Sequence, residues 1–277
     1  MRVELHTHNY FSMQTKVLYD GLDSPADMVN HAAELGLDAI VITDHNTMDG
    51  YERVKKFAKK ASILIIPGEE ISCAQGHLIA VGIQEFIKPK LSVLETVDNI
   101  HAQGGVAIAP HPFDVTKDGL REFSIHCDAI EVFSAINVDR ISNLVAKKFA
   151  KKHHMPGVAS SDAHFQQMLG HGVTDVAGDD VDGIINAIKK GKVSLPKSNS
   201  YLPVELMTYW AVERLKKSYD YTMEYIDANY HGPKKVLSKR MLRLVNRSPG
   251  NIDRIFKCMG YVSLGGAIAA SAARNVV

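Results

Sequence analysis

The amino-acid sequence predicts an α/β barrel followed by a helical appendage. Three observations carry that reading: seven short apolar runs, helical patterns between them, and a change of pattern near residue 200. The runs cover residues 2–5, 38–42, 63–66, 78–81, 106–109, 129–132 and 157–159. Each is bounded by polar or glycine residues, so strand and helix alternate as in a parallel sheet of βα units. Seven strands joined by helices suit a barrel better than an open doubly wound sheet.

The clearest helix opens at Ser24-Pro25, a capping residue with proline at the first helical position, and carries Met28, Val29, Ala32 and Leu35 to a stop at Gly36. Others are expected over residues 92–103, ending at Gly104-Gly105, and over 138–153. Beyond residues 192–195 strand signals cease. Residues 202–230 read as one long helix, 234–247 as a second and 249–259 as a third, with an uncharged Gly/Ala/Ser-rich packed helix over 258–273. The expected organisation is therefore a barrel over 1–198 and a helical appendage over 199–277.

With 277 residues, 45% apolar and 23% charged, the chain can bury a sizeable core. A net charge of +1 gives no bulk attraction to nucleic acid or membrane. The charge is uneven: from Leu202 onward 12 basic residues face 6 acidic ones, leaving 20 against 25 before it. Three scattered cysteines, Cys73, Cys127 and Cys258, support neither a disulfide framework nor a paired-thiolate zinc site, and fit a reducing cytosol. The N-terminal residues lack the apolar stretch of a secretory signal, so a cytoplasmic location is expected. No phosphate-cradling glycine loop is present.

Chemistry gathers directly after the apolar runs, where a barrel places its reactive groups. Leu5 is followed by His6-Thr7-His8, Ile42 by Thr43-Asp44-His45, Ile66 by Pro67-Gly68-Glu69-Glu70, Ala109 by Pro110-His111-Pro112, and Ala159 by Ser160-Ser161-Asp162-Ala163-His164; His77 stands just before the run at 78. The pairs His6/His8 and Asp162/His164 have period-two spacing, so in extended backbone both side chains leave one face and reach a common cation. Imidazoles and carboxylates without thiolates suit zinc, manganese or iron. More ligands than the four of a closed structural site imply several ions. A lone histidine after a strand is more often a surface residue than a ligand, but five strand ends with the same chemistry are not five accidents. His31, His101, His126, His153, His154 and His231 lie away from strand ends and are set aside.

The succession His-x-His, Thr-Asp-His, Gly-x-Glu-Ile-Ser, His-Leu, His-Pro and Ser-Asp-Ala-His resembles the polymerase and histidinol phosphatase (PHP) family over residues 2 to about 195. The resemblance implies a distorted seven-stranded βα barrel, TIM-like, with two or three divalent ions of zinc, manganese or iron, acting on phosphate esters. It further implies that His6, His8, Glu70 and Asp162 hold one ion and that Glu70 bridges to a second held with His77 and His111. His45 and His164 would hold a third. Their expected acidic or imidazole partner, five or six residues after His8, is replaced here by Met13 and Gln14. Asp20, in Asp20-Gly21-Leu22-Asp23-Ser24-Pro25, matches the family's lead into the first helix after an insertion and is the candidate ninth ligand. Glu70 is chosen over Glu69 because it directly precedes Ile71-Ser72.

The charges then imply a metal-activated water attacking a phosphate ester, with Asp162 and His164 as the groups assisting proton transfer. His171 and Lys16 are the candidate contacts to the substrate. Residues 234–247 form a basic amphipathic helix, expected to dock on the chain itself, with a short nucleic acid or an anionic surface as the other partners it would suit. The apolar segment at 258–273 is shorter than a membrane helix, so no integral membrane character is expected. The leading reading is a phosphoesterase for a small metabolite or nucleotide. An exonuclease comes second, because the basic helix has no interleaved aromatics, and an inactive binding module recruited by its basic tail third.

Overall fold

The computed structural model describes residues 1–57, 61–116 and 118–275. Within them the seven expected strands are β1 (Arg2–Glu4), β2 (Ala39–Ile42), β3 (Leu64–Cys73), β4 (Gly76–Val81), β5 (Val106–Ala109), β6 (Ala129–Ser134) and β7 (Gly157–Ser160). Two short strands follow, β8 (Thr174–Val176) and β9 (Val193–Ser194). All nine pair in one sheet ordered β7-β6-β5-β4-β3-β2-β1-β8-β9. The sheet curls until the segments after β1 and β7 meet. Thr7 bridges Ala163 in parallel, the His8 amide donates to the Ala163 carbonyl at 2.7 Å, and Thr174 Oγ1 joins β8 to the Ala159 backbone.

The sheet is mixed rather than wholly parallel. β3 with β4, β4 with β5, and β1 with β8 are antiparallel. The apolar runs at 63–66 and 78–81 are too close to hold a crossover helix, so a turn at Ala74-Gln75 returns the chain as a hairpin. β3 accordingly extends through Glu69 and Glu70, which lie on a strand and not in a loop after one.

Between strands lie α1 (Pro25–Glu34), α2 (Asp49–Val54), α3 (Val93–Ala102), α4 (Ile141–His153) and α5 (Val181–Lys189). Ser24 caps α1 and Ser92 caps α3, each in a reciprocal box with an acid three residues on, Asp27 and Glu95. One apolar layer joins Val3, Leu5, Val41, Ile66, Ile79, Ile108 and Val158 to Ile184 and Ile188 of α5; two others pack strands against α1, α3 and α4.

The C-terminal helices are α6 (Val204–Lys217), α7 (Tyr219–Asn229), α8 (Gly232–Val245) and α9 (Ile252–Asn275). The single helix expected over 202–230 is broken at Ser218, whose hydroxyl accepts from the Tyr19 amide at 3.1 Å. The basic helix α8 docks on its fellow helices, burying Leu242 and packing Val245 beside Val212 of α6 and Phe256 of α9. The two segments expected over 249–259 and 258–273 are one continuous helix of 24 residues. By length and composition α9 is therefore able to cross a membrane, which the 16-residue reading did not allow. Its inner face meets α4, where Ser271 Oγ lies 3.3 Å from Ser142 Oγ, and Arg274 donates to the Asp114 carbonyl at 3.0 Å.

Candidate metal centre

Residues on or just after β1, β2, β3, β4, β5 and β7 aim the expected side chains at one point. His6 and His8 follow β1 in extended backbone, so both leave the same face, and their Nε2 atoms lie 3.0 Å apart. Glu70 and Ser72 share a face of β3, and Ser72 pairs with His77 on β4, which brings the His77 Nδ1 within 3.0 Å of Glu70 Oε1. His45 bridges Glu70 from the end of β2. His111 and Asp162 sit at φ of 27° and 53°, in the left-handed region that side chains rarely adopt. Such strain is held where the surrounding fold over-determines it.

Around the first pair, His6 Nε2 and His8 Nε2 lie 3.3 and 3.2 Å from Glu70 Oε2, and 3.4 and 3.3 Å from Asp162 Oδ1. A tetrahedral ion bound at ordinary zinc distances has ligand-to-ligand edges of about 3.3 Å. Five of the six edges among these four atoms thus match such an ion within a few tenths of an ångström. Glu70 Oε2 and Asp162 Oδ1 are buried without a hydrogen-bond partner. Buried orphan carboxylate oxygens are costly unless a cation answers them, so the donor set fits a metal.

On its other oxygen Glu70 meets His77, and also His111 Nε2 at 3.2 Å, an arrangement that suits a bridging carboxylate. Asp20 is brought back by the insertion itself. Met13 bridges Tyr19, the Gln14 amide donates to Leu18, and the Asp20 amide donates to Ser12, closing the loop so that Asp20 Oδ2 stands 3.0 Å from His164 Nε2 and 3.3 Å from His45 Nε2. Gln14, at a position where the family has a ligand, donates to the same Asp20 oxygen at 2.9 Å. His45 stands between two groups, its Nδ1 3.0 Å from Glu70 Oε2.

Electrostatics follow from this packing. Burial pushes the His6 imidazole down, but Asp162, Glu70 and Glu131 overcome it and hold His6 well above its ordinary value. His8 is treated likewise by Asp162 and Glu70 and is pushed up to about 10, and His111 is raised by Glu70 and Asp114 against the same burial. Burial raises the Glu70 carboxyl, yet His45, His6 and His77 bring it well below the usual range; Asp162 is lowered in the same way by His6 and His164. His45 is lowered, chiefly by burial. Without ions, imidazoliums and carboxylates compensate one another.

Glu69 turns to the opposite face of β3, where it accepts from the Ile87 amide at 3.0 Å. Lys16 is exposed on the insertion loop, and His171 Nδ1 lies 3.0 Å from Ser200 Oγ; neither forms a hydrogen bond or ion pair with the cluster among the described residues. Several neighbours escaped the sequence reading. Glu131 accepts from His6 Nδ1 at 3.1 Å, from the His111 amide at 2.8 Å and from the Ser160 hydroxyl. A carboxylate inside an apolar run was the available signal. Asp44 holds Asn9 through two hydrogen bonds of 2.8 and 2.5 Å. From α6, Arg214 Nη1 donates to Asp20 Oδ1 at 2.7 Å and Trp210 Nε1 to the Asp20 carbonyl at 2.7 Å, with the Trp210 ring 4.4 Å from that of His164. Nothing local in the sequence marks either residue.

Comparison with known proteins agrees with this architecture. A family model described as "PHP-associated" (PHP_C) matches residues 140–193. The chain is 35% identical over 152 residues to an uncharacterized protein of Methanocaldococcus jannaschii, covering 53% of this chain and 89% of the relative. It is 35% identical over 137 residues to the PolC-type DNA polymerase III of Staphylococcus saprophyticus, covering half of this chain and 8% of the polymerase. A two-domain crystal structure from Bacteroides vulgatus, containing a "predicted PHP-like metal-dependent phosphoesterase", superposes with a TM-score of 0.57 at 20% identity over 71% of this chain and 64% of that one. That last likeness is one of fold. Together with the ordered histidine and carboxylate motifs on a nearly closed barrel, these matches place the chain in the PHP family.

Proposed function

We propose that this chain is a metal-dependent phosphoesterase that hydrolyses the phosphate ester of a small metabolite or nucleotide. The observation that carries the proposal is the convergence of His6, His8, Glu70 and Asp162 at the edge lengths of a tetrahedral ion, with two buried carboxylate oxygens that form no hydrogen bond. His6, His8, Glu70 and Asp162 would hold one ion, Glu70 with His77 and His111 a second, and Asp20 with His45 and His164 a third. Bound divalent cations supply Lewis acidity, lowering the pKa of water and neutralising charge that develops on a phosphoryl group.

The chain's own residues do the rest. Glu131 accepts from His6 Nδ1, which fixes the tautomer whose Nε2 lone pair faces the centre. The Asp162 carbonyl does the same for His164 Nδ1 at 2.8 Å, leaving Nε2 directed at Asp20. Asp162 Oδ1 is the atom aimed at the first ion, so the proton-transfer role assigned to Asp162 would fall to Oδ2.

The test is a screen of phosphate monoesters, diesters and short oligonucleotides with zinc, manganese or iron supplied, run beside His6→Ala. Ion-dependent turnover of a small ester, lower by on the order of 100-fold in the variant, is expected. Equal turnover by His6→Ala overturns the reading. Activity confined to oligonucleotide ends replaces it with a nuclease. Less than one bound ion, with no activity on an aryl phosphate, replaces it with a binding module.

A further inference from the structure

The loop that carries Asp20 is held at five points by the C-terminal helices. Tyr221 OH donates to the Thr15 carbonyl at 3.0 Å, Ser218 Oγ accepts from the Tyr19 amide, Trp210 Nε1 donates to the Asp20 carbonyl, Arg214 Nη1 donates to Asp20 Oδ1, and Lys217 Nζ donates to the Leu22 carbonyl. The Arg214 guanidinium also lies over the Trp210 ring, 4.5 Å from its centroid. Arg214 and Asp20 are separated by 194 residues, so the meeting is purely tertiary.

The two oxygens of Asp20 face different partners. Oδ1 meets Arg214, while Oδ2 faces His45, His164 and Gln14. A carboxylate at the tip of an inserted loop has rotational freedom that a ligand must lose. A rigid guanidinium on one oxygen removes that freedom and leaves the other aimed at the two imidazoles. Outer partners of this kind orient ligands and set metal affinity.

We infer that the C-terminal helical unit is part of the metal centre, with Arg214 as the positioning residue that sets Asp20 for an ion shared with His45 and His164. Seating of α6 and occupancy of that position are then coupled, and each favours the other. The inference rests on the metal-centre reading above, and adds that one of its positions depends on residues outside the barrel.

Trp210 is the chain's single tryptophan and its ring lies 4.4 Å from that of His164, tilted by 48°, so its emission reports most strongly on this position. The experiment titrates the full-length, metal-stripped protein with Mn2+, a paramagnetic quencher, following tryptophan emission beside total bound metal after desalting. Wild type, Arg214→Lys and Arg214→Ala are compared, with Trp210→Phe as the control that removes the signal and melting curves to establish folding. The ion that quenches Trp210 is expected to bind 10- to 100-fold more weakly in Arg214→Ala. Arg214→Lys, which keeps the charge but not the planar fork, is expected in between, and it decides the question should Arg214→Ala fail to fold. The ions that quench Trp210 least should keep wild-type affinity. Unchanged or tighter binding of the quenching ion in the variants overturns the inference, as does wild-type protein that takes up ions without any quenching. Wild-type protein that takes up no ion refutes the metal-centre reading itself, a separate failure.

Discussion

Replacing Glu131 by glutamine tests how the first imidazole is set, because the two side chains have the same shape. Glu131 Oε1 accepts from His6 Nδ1 and the Ser160 hydroxyl, and Oε2 accepts from the His111 amide. Glutamine has one oxygen and one NH2 group. If its oxygen takes the Oε1 position, two donors face each other at His111 and a buried backbone N–H is left unpaired, at a cost of about 1–3 kcal/mol. If it turns over, His6 must become an acceptor at Nδ1, and its proton moves to Nε2, the atom that faces His8, Glu70 and Asp162. A protonated Nε2 binds no cation. Either orientation loses the carboxylate that makes His6 a better ligand. Metal affinity is expected to fall 10- to 100-fold, about 1.4 to 2.8 kcal/mol. The metal-free melting temperature should fall by roughly 2–4 °C per kcal/mol lost, and the metal-loaded one further still. Chelator competition with manganese gives the affinity, and melting curves with and without metal give the stability. Affinity within two-fold of wild type would refute the role given to Glu131.

Gly21→Ala should displace the Asp20 loop, since an added Cβ would lie 2.2 Å from the Asn9 carbonyl oxygen and 2.3 Å from its carbon, with Asn9 tied to Asp44. Destabilisation of about 1–3 kcal/mol is expected on melting, and a wild-type melting temperature would show that the loop yields freely. Metal uptake should release protons. In the metal-free chain His6 and His111 are held well above their ordinary values and His8 at about 10, so all three are charged at neutral pH, whereas ligation needs them neutral. Apparent affinity therefore rises with pH across the neutral range toward 10. Because these folded values are raised, their contribution to metal-free stability is complete below the unfolded imidazole value of about 6.5 and fades as pH climbs through the folded ones. Calorimetry in two buffers of different ionisation enthalpy measures the released protons, and equal heats in both would contradict the assignment.

Much of this was legible because barrel chemistry is written beside strands. Every apolar run became a strand, and period-two spacing put His6 with His8 on one face. What stayed hidden depended on contacts between distant segments. The kink at Ser218 arises where its hydroxyl meets the Tyr19 amide, 199 residues away. The unity of α9 was obscured by Gly260, Gly265 and Gly266, each costing about 1 kcal/mol in an isolated helix. Packing on α6 and α4 carries the helix through them, and Gly260 sits where a Cβ would meet Thr208 Oγ1 at 2.5 Å. Glu131 differs in kind: it was visible as a lone charge within residues 129–132, and its fault was to be read as part of a strand.

The distribution of unanswered polar atoms separates the positions of the centre from one another. Glu70 Oε2 and Asp162 Oδ1 are buried without hydrogen bonds, while both oxygens of Asp20 are satisfied within the chain, one of them by Arg214. Around Glu70 and Asp162 the barrel alone supplies every nearby group, so ligand orientation there follows from strand geometry and from Glu131. At Asp20 the barrel supplies the imidazoles, and the inserted loop supplies the carboxylate. The geometry of that carboxylate belongs to a helix that the sequence reading placed in a different unit. An insertion that lengthens a ligand-bearing loop loosens the ligand, and an added helix with an arginine in reach restores its aim. On the proposed metal-centre reading, Gln14 of the inserted loop and Arg214 of α6 each take one oxygen of Asp20, and together they fix its aim.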